Sequence, residues 1–142
     1  MSSASRPSAG PVALARDAAA AVRLCLVRYL DVEGRSSRFE YWAFVLFALA
    51  AQKLMATADA ALFGIDHMGG PLGIATALAL AAPTVAVATR RLHDVGRSAW
   101  WLLLAFVPVV GVLALLYVFL QPGDRNRNAY GPPPSAPAGA PA

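Results

Sequence analysis

Apolar residues dominate three long windows of the chain, and each window is long enough to form a helix that crosses a membrane. The windows run from about residue 41 to 63, from 72 to 89 and from 100 to 120. A bilayer core about 30 Å thick requires roughly 20 mostly apolar residues in an α-helix. The second and third windows contain no charged residue. This pattern predicts an all-α integral membrane protein with three transmembrane helices.

The first window differs from the others because it contains Gln52, Lys53 and Asp59. A lysine at the bilayer centre costs about 2.5–3.5 kcal/mol, which roughly offsets the gain from the large apolar residues around it. Gln52 and Asp59 are seven residues apart and share a helix face, whereas Lys53 lies on another face. Ionisable residues inside a membrane are candidates for ion or proton pathways. Three helices form a thin bundle, so a transport role would require an oligomer. The alternative to a transport role is that Lys53 snorkels to the membrane surface and that Asp59 lies at the interface.

The segments outside the three windows predict further parts of the architecture. Between about residues 17 and 30, apolar residues recur at helical spacing with arginines between them, which is typical of an amphipathic helix lying on the membrane surface. Those apolar residues are Val22, Leu26, Tyr29 and Leu30. We expect residues 1–16 to be a disordered extension, without the apolar stretch of a signal peptide, and the Pro/Ala-rich residues 131–142 to be a disordered tail. The membrane domain then covers residues 17–130.

Arginines predict the orientation of the chain in the membrane. They occur before the first window, at positions 6, 16, 23, 28, 35 and 38, and between the second and third windows, at positions 90, 91 and 97. The loop from 64 to 71 contains no Lys or Arg. The positive-inside rule therefore places the N-terminus and the arginine-rich loop in the cytoplasm. Three spans would place the C-terminal tail outside, although Arg125 and Arg127 in that tail count against this placement.

The composition supports a membrane location and excludes two other classes of protein. Hydrophobic residues make up 58% of the chain and charged residues 14%, compared with about 25% charged residues in soluble domains. A soluble globular domain and a disordered chain are both excluded. The net charge of +4 reflects the placement of arginines at one membrane face rather than binding to nucleic acid. The single Cys25 cannot form an intrachain disulfide.

Two polar segments, residues 34–42 and 90–101, fall at the predicted inner ends of the spans. Arginine binds phosphate through forked hydrogen bonds, so these segments can bind anionic lipid or a partner protein. Alternatively, their carboxylates pair with the arginines and hold the helix ends together. The candidate residues are Arg35, Arg38, Glu40, Arg90, Arg91, His93, Asp94 and Arg97.

Motifs for catalysis, cofactors or metals are absent from the sequence. It contains no nucleophile elbow, no glycine-rich phosphate loop and no zinc-ligand spacing. His93 and Asp94 are adjacent, and adjacent helical residues point about 100° apart, which disfavours a catalytic dyad. The sequence favours a non-enzymatic protein without a cofactor, whose partners are membrane lipids, a second copy of the chain or another membrane protein. A membrane enzyme built on His93 and Asp94 is a third hypothesis.

Several short motifs occur along most of the chain. They are Gly34-Arg35, Arg38 and Glu40-Tyr41-Trp42; Pro83 seven residues before Arg90; the block RRLHDVGRSAWW; the stretch from Pro108 to Gly111; and PG followed by NAYGPPP. Together these motifs resemble the domain of unknown function (DUF) 805 family of small bacterial inner-membrane proteins. The resemblance covers roughly Leu26 to Pro134.

The resemblance implies a multi-span helical fold in the bacterial inner membrane and implies no reaction. Two positions depart from the tail pattern of the family, which reads Asn-Arg-Phe/Tyr-Gly and then Pro-Asp-Pro. Here Ala129 stands in place of the arginine and Pro133 in place of the aspartate. We therefore expect the tail to lack one polar contact of the family.

Overall fold

The computed structural model describes residues 10–64 and 69–134, and these residues are helical without strands, which confirms the all-α fold class. One isolated β-bridge joins Asn128 and Gly131. The helices are α1 (Pro11–Val27), α2 (Arg38–Phe63), α3 (Pro71–Asp94), a 3₁₀ helix (Ala99–Phe106) and α4 (Val110–Leu120).

Helices α2 and α3 are the two that are long and apolar enough to cross a membrane, among the residues described. They coincide with the first two predicted windows. Their ends have local causes: the Ser37 side chain accepts a hydrogen bond from the Glu40 N–H, and Gly64 ends α2 in the left-handed conformation, with φ 67°. The pair is antiparallel, because the Ser36 N–H donates to the Arg90 carbonyl at one end and Asp59 contacts Leu72 at the other.

Helix α1 begins at Pro11, six residues before the predicted start at residue 17. Proline suits the first position of a helix, and the alanine-rich run that follows has a high helix propensity. Residues 11–16 are therefore helical rather than disordered, while residues 1–9 lie outside the described part. The helix buries Cys25 against α2 and α3, whereas Leu26 and Tyr29 of the predicted apolar face are exposed.

The third window does not form the single helix predicted from 100 to 120. The 3₁₀ helix ends at Phe106, and α4 begins at Val110. Pro108 has no N–H group and keeps the preceding Val107 out of the helical conformation, at φ −94° and ψ 104°. Val109 has φ 64° and ψ −68°, and the Val110 N–H donates to the Pro108 carbonyl at 2.7 Å, which is a classic γ-turn. The chain therefore reverses direction at this proline.

The 3₁₀ helix and α4 pack against each other as a hairpin, which we call the 99–120 hairpin. Gly111 lies so close to the Leu104 carbonyl that a side chain would not fit there. The hairpin starts five residues after α3 ends, and its last turn returns to α3, where Arg91 donates to the Phe119 carbonyl at 3.3 and 3.4 Å. Both ends of the hairpin therefore lie at the C-terminal end of α3.

The C-terminal tail returns to this same end of the molecule, whereas the prediction of three spans placed it at the opposite end. The Asp124 N–H donates to the Asp94 carbonyl at 2.8 Å. The reason is the γ-turn, because a third segment that reverses direction ends near the point where it began. Gly131, predicted to be disordered, exchanges two main-chain hydrogen bonds with Asn128; residues 135–142 lie outside the described part. We call the end where residues 28–38, 90–98 and 121–131 meet the base.

The buried core is concentrated near the base. Large apolar residues along the remaining length of α2 and α3, including Leu46, Leu54 and Leu78, are exposed. Exposed leucines are unfavourable in water and ordinary in lipid, since lipid tails are as apolar as leucine. The core residues are Cys25, Tyr41, Phe44, Val87, Ala88, Leu92, Leu115, Val118 and Phe119.

Candidate functional site at the base

All eight residues predicted to form a cluster lie at the base, but they belong to two different environments. Arg90 and Arg91 have 0% of their surface exposed, and Arg35 is also buried. Arg38 and Arg97 are exposed. The buried set interacts with the protein itself, and the exposed set faces the surroundings.

Asp94 is the acceptor at the centre of the buried set. Arg35 donates through Nε to Asp94 Oδ1 at 2.9 Å, and Arg91 donates through Nη1 to Asp94 Oδ2. Arg91 lies three residues before Asp94 on α3, whereas Arg35 comes from the segment before α2. One carboxylate therefore holds two guanidinium groups from separate parts of the chain.

The remaining N–H groups of these arginines bind main-chain carbonyls of the tail and of α4. Arg35 donates to the carbonyls of Asn126, Gly131, Asp94 and Asp124. With the Asp94 carboxylate these bonds employ all five N–H groups of a guanidinium. Arg91 similarly binds the Phe119 and Gln121 carbonyls. Arg35 has no free donor for a phosphate, and each of the three side-chain nitrogens of Arg91 already binds an acceptor of the protein, so these two arginines hold the base together.

Arg90 forms a second buried contact, between α3, α1 and α2. It donates to the Asp31 carbonyl at 2.6 Å and lies 3.4 Å from Glu40 Oε1. Cys25 lies beside this pair, with Sγ 3.6 Å from Glu40 Oε1. Burial, and next the Glu40 carboxylate, raise the pKa of Cys25 to about 12. The thiol is therefore neutral at physiological pH and unsuited to nucleophilic chemistry.

His93 and Asp94 face different partners. The His93 ring stacks on Tyr130, with ring centroids 3.9 Å apart and planes 3° from parallel. Its Nδ1 faces the Gly34 carbonyl at 3.2 Å. Both carboxylate oxygens of Asp94 are bound by arginines. This geometry gives no support to a catalytic dyad of the two neighbours.

The tail is held at the base by its own polar side chains as well as by Arg35. Asn128 Nδ2 donates to the His93 carbonyl and to Asp124 Oδ2, both at 2.9 Å. Gly123 lies against the Asp94 carboxylate, where a side chain would collide with it. Ala129, where the family pattern has arginine, is exposed, and its neighbours Asn128 and Tyr130 make the contacts. The tail motif in the sequence includes these residues, but their partner His93 lies 35 residues before Asn128 in the chain.

The exposed arginines at the base include two that sequence reasoning had placed on the opposite side. Arg125 and Arg127 are exposed in the tail. The Arg97 guanidinium lies 4.5 Å above the centre of the Trp101 ring, a cation–π contact. Arg38 donates to the Leu120 carbonyl at 3.3 Å through one exposed nitrogen. Accessible guanidinium groups of this kind suit phosphate ligands.

Gln52 and Asp59 join α2 to α3 at the end opposite the base. The buried Asp59 carboxylate accepts hydrogen bonds from the N–H groups of Leu72 and Gly73, at 3.0 and 2.7 Å. It thus caps the N-terminus of α3, where the helix dipole favours a negative charge. Gln52 Nε2 donates to the Gly73 carbonyl at 3.1 Å. Lys53 is exposed on another face of α2, so these three residues do not converge.

An apolar groove of about 410 Å³ lies between α2 and α3. Its polar side chains are Gln52 and Thr84, and neither Lys53 nor Asp59 lines it. The charged side chains proposed for an ion pathway therefore do not face this groove. His67 and the rest of residues 65–68 lie outside the described part of the chain.

Comparison with known proteins identifies the family. The sequence matches the family described as "Protein of unknown function (DUF805)" over residues 29–132, which include the buried arginines and the tail. The chain belongs to the DUF805 family. Inner membrane protein YhaH of Escherichia coli K12 is 38% identical over 112 residues, covering 77% of this chain and 91% of YhaH. Inner membrane protein YhaI of the same strain is 38% identical over 109 residues, covering 77% of this chain and 90% of YhaI.

No solved structure matches the sequence. The names of these two relatives and the two long apolar helices support an inner-membrane location for this DUF805 chain.

Proposed function

We propose that this protein is a non-enzymatic inner-membrane module whose exposed base arginines bind the phosphate groups of anionic lipids. The observation that carries the proposal is the division of the base arginines. Arg35 and Arg91 bind the Asp94 carboxylate and main-chain carbonyls, so their charges are compensated inside the protein. Four others are exposed around the same end: Arg38, Arg97, Arg125 and Arg127.

Arg28, also at the base, does not add to this exposed positive charge. Arg28 is paired with Asp31 at 2.6 Å, and hydrogen bonding to Arg28 lowers the pKa of Asp31, so this pair stays charged and neutralises itself. Each basic residue near an anionic membrane surface contributes about 1 kcal/mol. The four exposed arginines together therefore contribute at most about 4 kcal/mol.

The proposal includes an orientation with the base in the cytoplasm. Residues 54–89, which contain the end opposite the base, have no Lys or Arg. Arg125 and Arg127, which conflicted with the predicted topology, are now on the same side as the other arginines. The positive-inside rule then assigns the base to the cytoplasm. Helix α1, with exposed Arg16, Arg23 and Leu14, lies at this inner surface.

Lipid titration of the purified protein in detergent, followed by native mass spectrometry, tests the proposal. Phosphatidylglycerol should bind at least about tenfold more tightly than phosphatidylcholine, a difference of about 1.4 kcal/mol. The fourfold variant R38Q/R97Q/R125Q/R127Q should lose this preference and keep its helicity by circular dichroism. The variant Lys53→Gln removes an exposed cation away from the base and should keep it.

Two results would contradict lipid binding at the base. One is equal binding of the two lipids by the native protein, which would leave an acidic partner protein as the candidate ligand of these arginines. The other is a folded fourfold variant that still prefers phosphatidylglycerol as strongly as the Lys53→Gln control.

A further inference from the structure

The arms of the 99–120 hairpin are too short to cross a bilayer. The 3₁₀ helix has 8 residues and α4 has 11. At about 2.0 Å per residue in a 3₁₀ helix and 1.5 Å in an α-helix, each arm is roughly 16 Å long. A bilayer core is about 30 Å thick. Each arm thus has the length of one leaflet, whereas α2, with 26 residues, is long enough for both.

The polarity of the hairpin changes from its ends to its tip. Its ends carry Arg97 against Trp101 on one arm and Arg38 against the Leu120 carbonyl on the other. Between them, residues 98–123 contain no charged residue. The tip is highly exposed and apolar: Phe106 is 84% exposed and Val109 69%. The hairpin thus has arginine and tryptophan at its ends and exposed apolar side chains at its tip. This arrangement is typical of a segment that enters lipid from one face.

Three N–H groups of the turn are paired within the protein. The N–H groups of Val107, Val110 and Gly111 donate to carbonyls within the turn, at 2.9, 2.7 and 3.0 Å. Pro108 has no N–H group that would need a partner. Backbone groups inside a bilayer must be satisfied within the protein, because no water is present there. The γ-turn at Val109 is a strained conformation for a β-branched residue, and it reverses the chain while pairing these groups internally.

We propose that the 99–120 hairpin is re-entrant: it enters the leaflet on the base side, turns at Pro108 and Val109 among the acyl chains, and returns to the base. The ligand of its exposed tip is the acyl region of that leaflet. The chain then crosses the membrane twice, through α2 and α3, and residues before α2 and after α4 face the same side. In this arrangement the protein displaces more lipid from the base-side leaflet than from the other leaflet.

Spin labels at single cysteines measure the depth of each position in proteoliposomes, through the relative access of oxygen and of a water-soluble nickel complex. The labelled positions are Leu103→Cys, Val109→Cys, Leu113→Cys and Leu120→Cys, in a Cys25→Ala background. Depth should rise from position 103 to 109 and fall again at 120. Leu49→Cys and Leu62→Cys on α2 are the matched controls, and they should pass from the membrane centre to the far interface. Phe106→Cys supplies a second tip position if Val109→Cys does not fold.

A depth that continues to change in one direction, with position 120 at the far interface, would overturn the proposal. So would a tip shielded from both oxygen and nickel, which would indicate a second copy of the chain at this surface. In sealed vesicles of one orientation, a C-terminal tag should be cleaved from the same side as an N-terminal tag. These results concern depth and sidedness, so they can fail independently of the preference for anionic lipid.

Discussion

Arg91 and Arg97 are six residues apart and lie at the same end of the molecule, yet they have opposite environments. Arg91 is on the last turn of α3, where Asp94, Phe119 and Gln121 surround it. Arg97 follows Gly96, whose φ of 68° turns the chain away from the helix, and its guanidinium rests on Trp101 at the surface. The comparison teaches that arginines in one short segment become buried or exposed according to whether the fold places acceptors around them.

The energetic consequence of the two environments differs as well. A buried charge that loses its partner is left uncompensated in a medium of low dielectric constant, which costs about 3–5 kcal/mol. A surface substitution usually changes the free energy of unfolding by less than about 0.5 kcal/mol. The buried and exposed arginines should therefore respond very differently to comparable substitutions.

The largest effect is expected for Asp94→Asn, because it removes the one carboxylate that both Arg35 and Arg91 contact. We expect a loss of about 3–5 kcal/mol in the free energy of unfolding in detergent. Denaturant unfolding followed by circular dichroism measures it. The control is Asp124→Asn, an exposed aspartate in the tail that the structure joins to Asn128. Equal stability of the two variants would mean that the buried pairs do not hold the base together.

A smaller effect is expected for Gly123→Ala, which leaves every charge in place and presses a methyl group against the Asp94 carboxylate. Overpacking of this kind costs about 1–3 kcal/mol. The same unfolding measurement applies. Gly10→Ala is the matched control, since nothing lies within 4 Å of the added carbon there. A Gly123→Ala variant as stable as the control would show that the tail can move away from Asp94 at no cost.

The smallest effect on stability is expected for Arg97→Gln. It removes one exposed cation–π contact with Trp101, which is worth about 0.5–1 kcal/mol at a surface. Tryptophan fluorescence during unfolding measures the change. Arg97→Lys keeps the charge and should lie between the native protein and Arg97→Gln. A loss of unfolding free energy as large as that of Asp94→Asn would contradict the distinction between buried and exposed arginines, because it would place Arg97 in the buried network.

Sequence patterns predicted the long helices correctly because the relevant information is local. The apolar windows at 41–63 and 72–89 correspond to α2 and α3, whose ends follow from Ser37, Gly64 and Pro71. The prediction began α1 at residue 17 because it followed the apolar repeat from Val22 onward, whereas Pro11 and the helix propensity of the alanine-rich run start the helix earlier. The prediction of one continuous helix for the third window was wrong at Pro108. Membrane helices tolerate proline, so composition does not distinguish a kink in a helix from a reversal of the chain.

The sequence predicted which residues form the candidate site, but not which of its arginines are buried and which are exposed. The polar segments 34–42 and 90–101 do meet at one end, as the antiparallel helices require. The burial of Arg35 depends on the carbonyls of Asn126 and Gly131, which are more than about 90 residues away in the chain. The burial of Arg91 depends on the Phe119 carbonyl, about 30 residues away. Main-chain acceptors are present at every residue, so no sequence pattern marks them.

The sequence by itself determined the apolar helices, the charge-free third window and the family, since these depend on residue type and spacing along one segment. The tertiary structure alone decided that the third window turns back, that the tail returns to the base, and that Arg35, Arg90 and Arg91 are buried. The physical reason is that the energy of a buried charge depends on the position of acceptors from distant segments. Those positions exist only once the chain has folded.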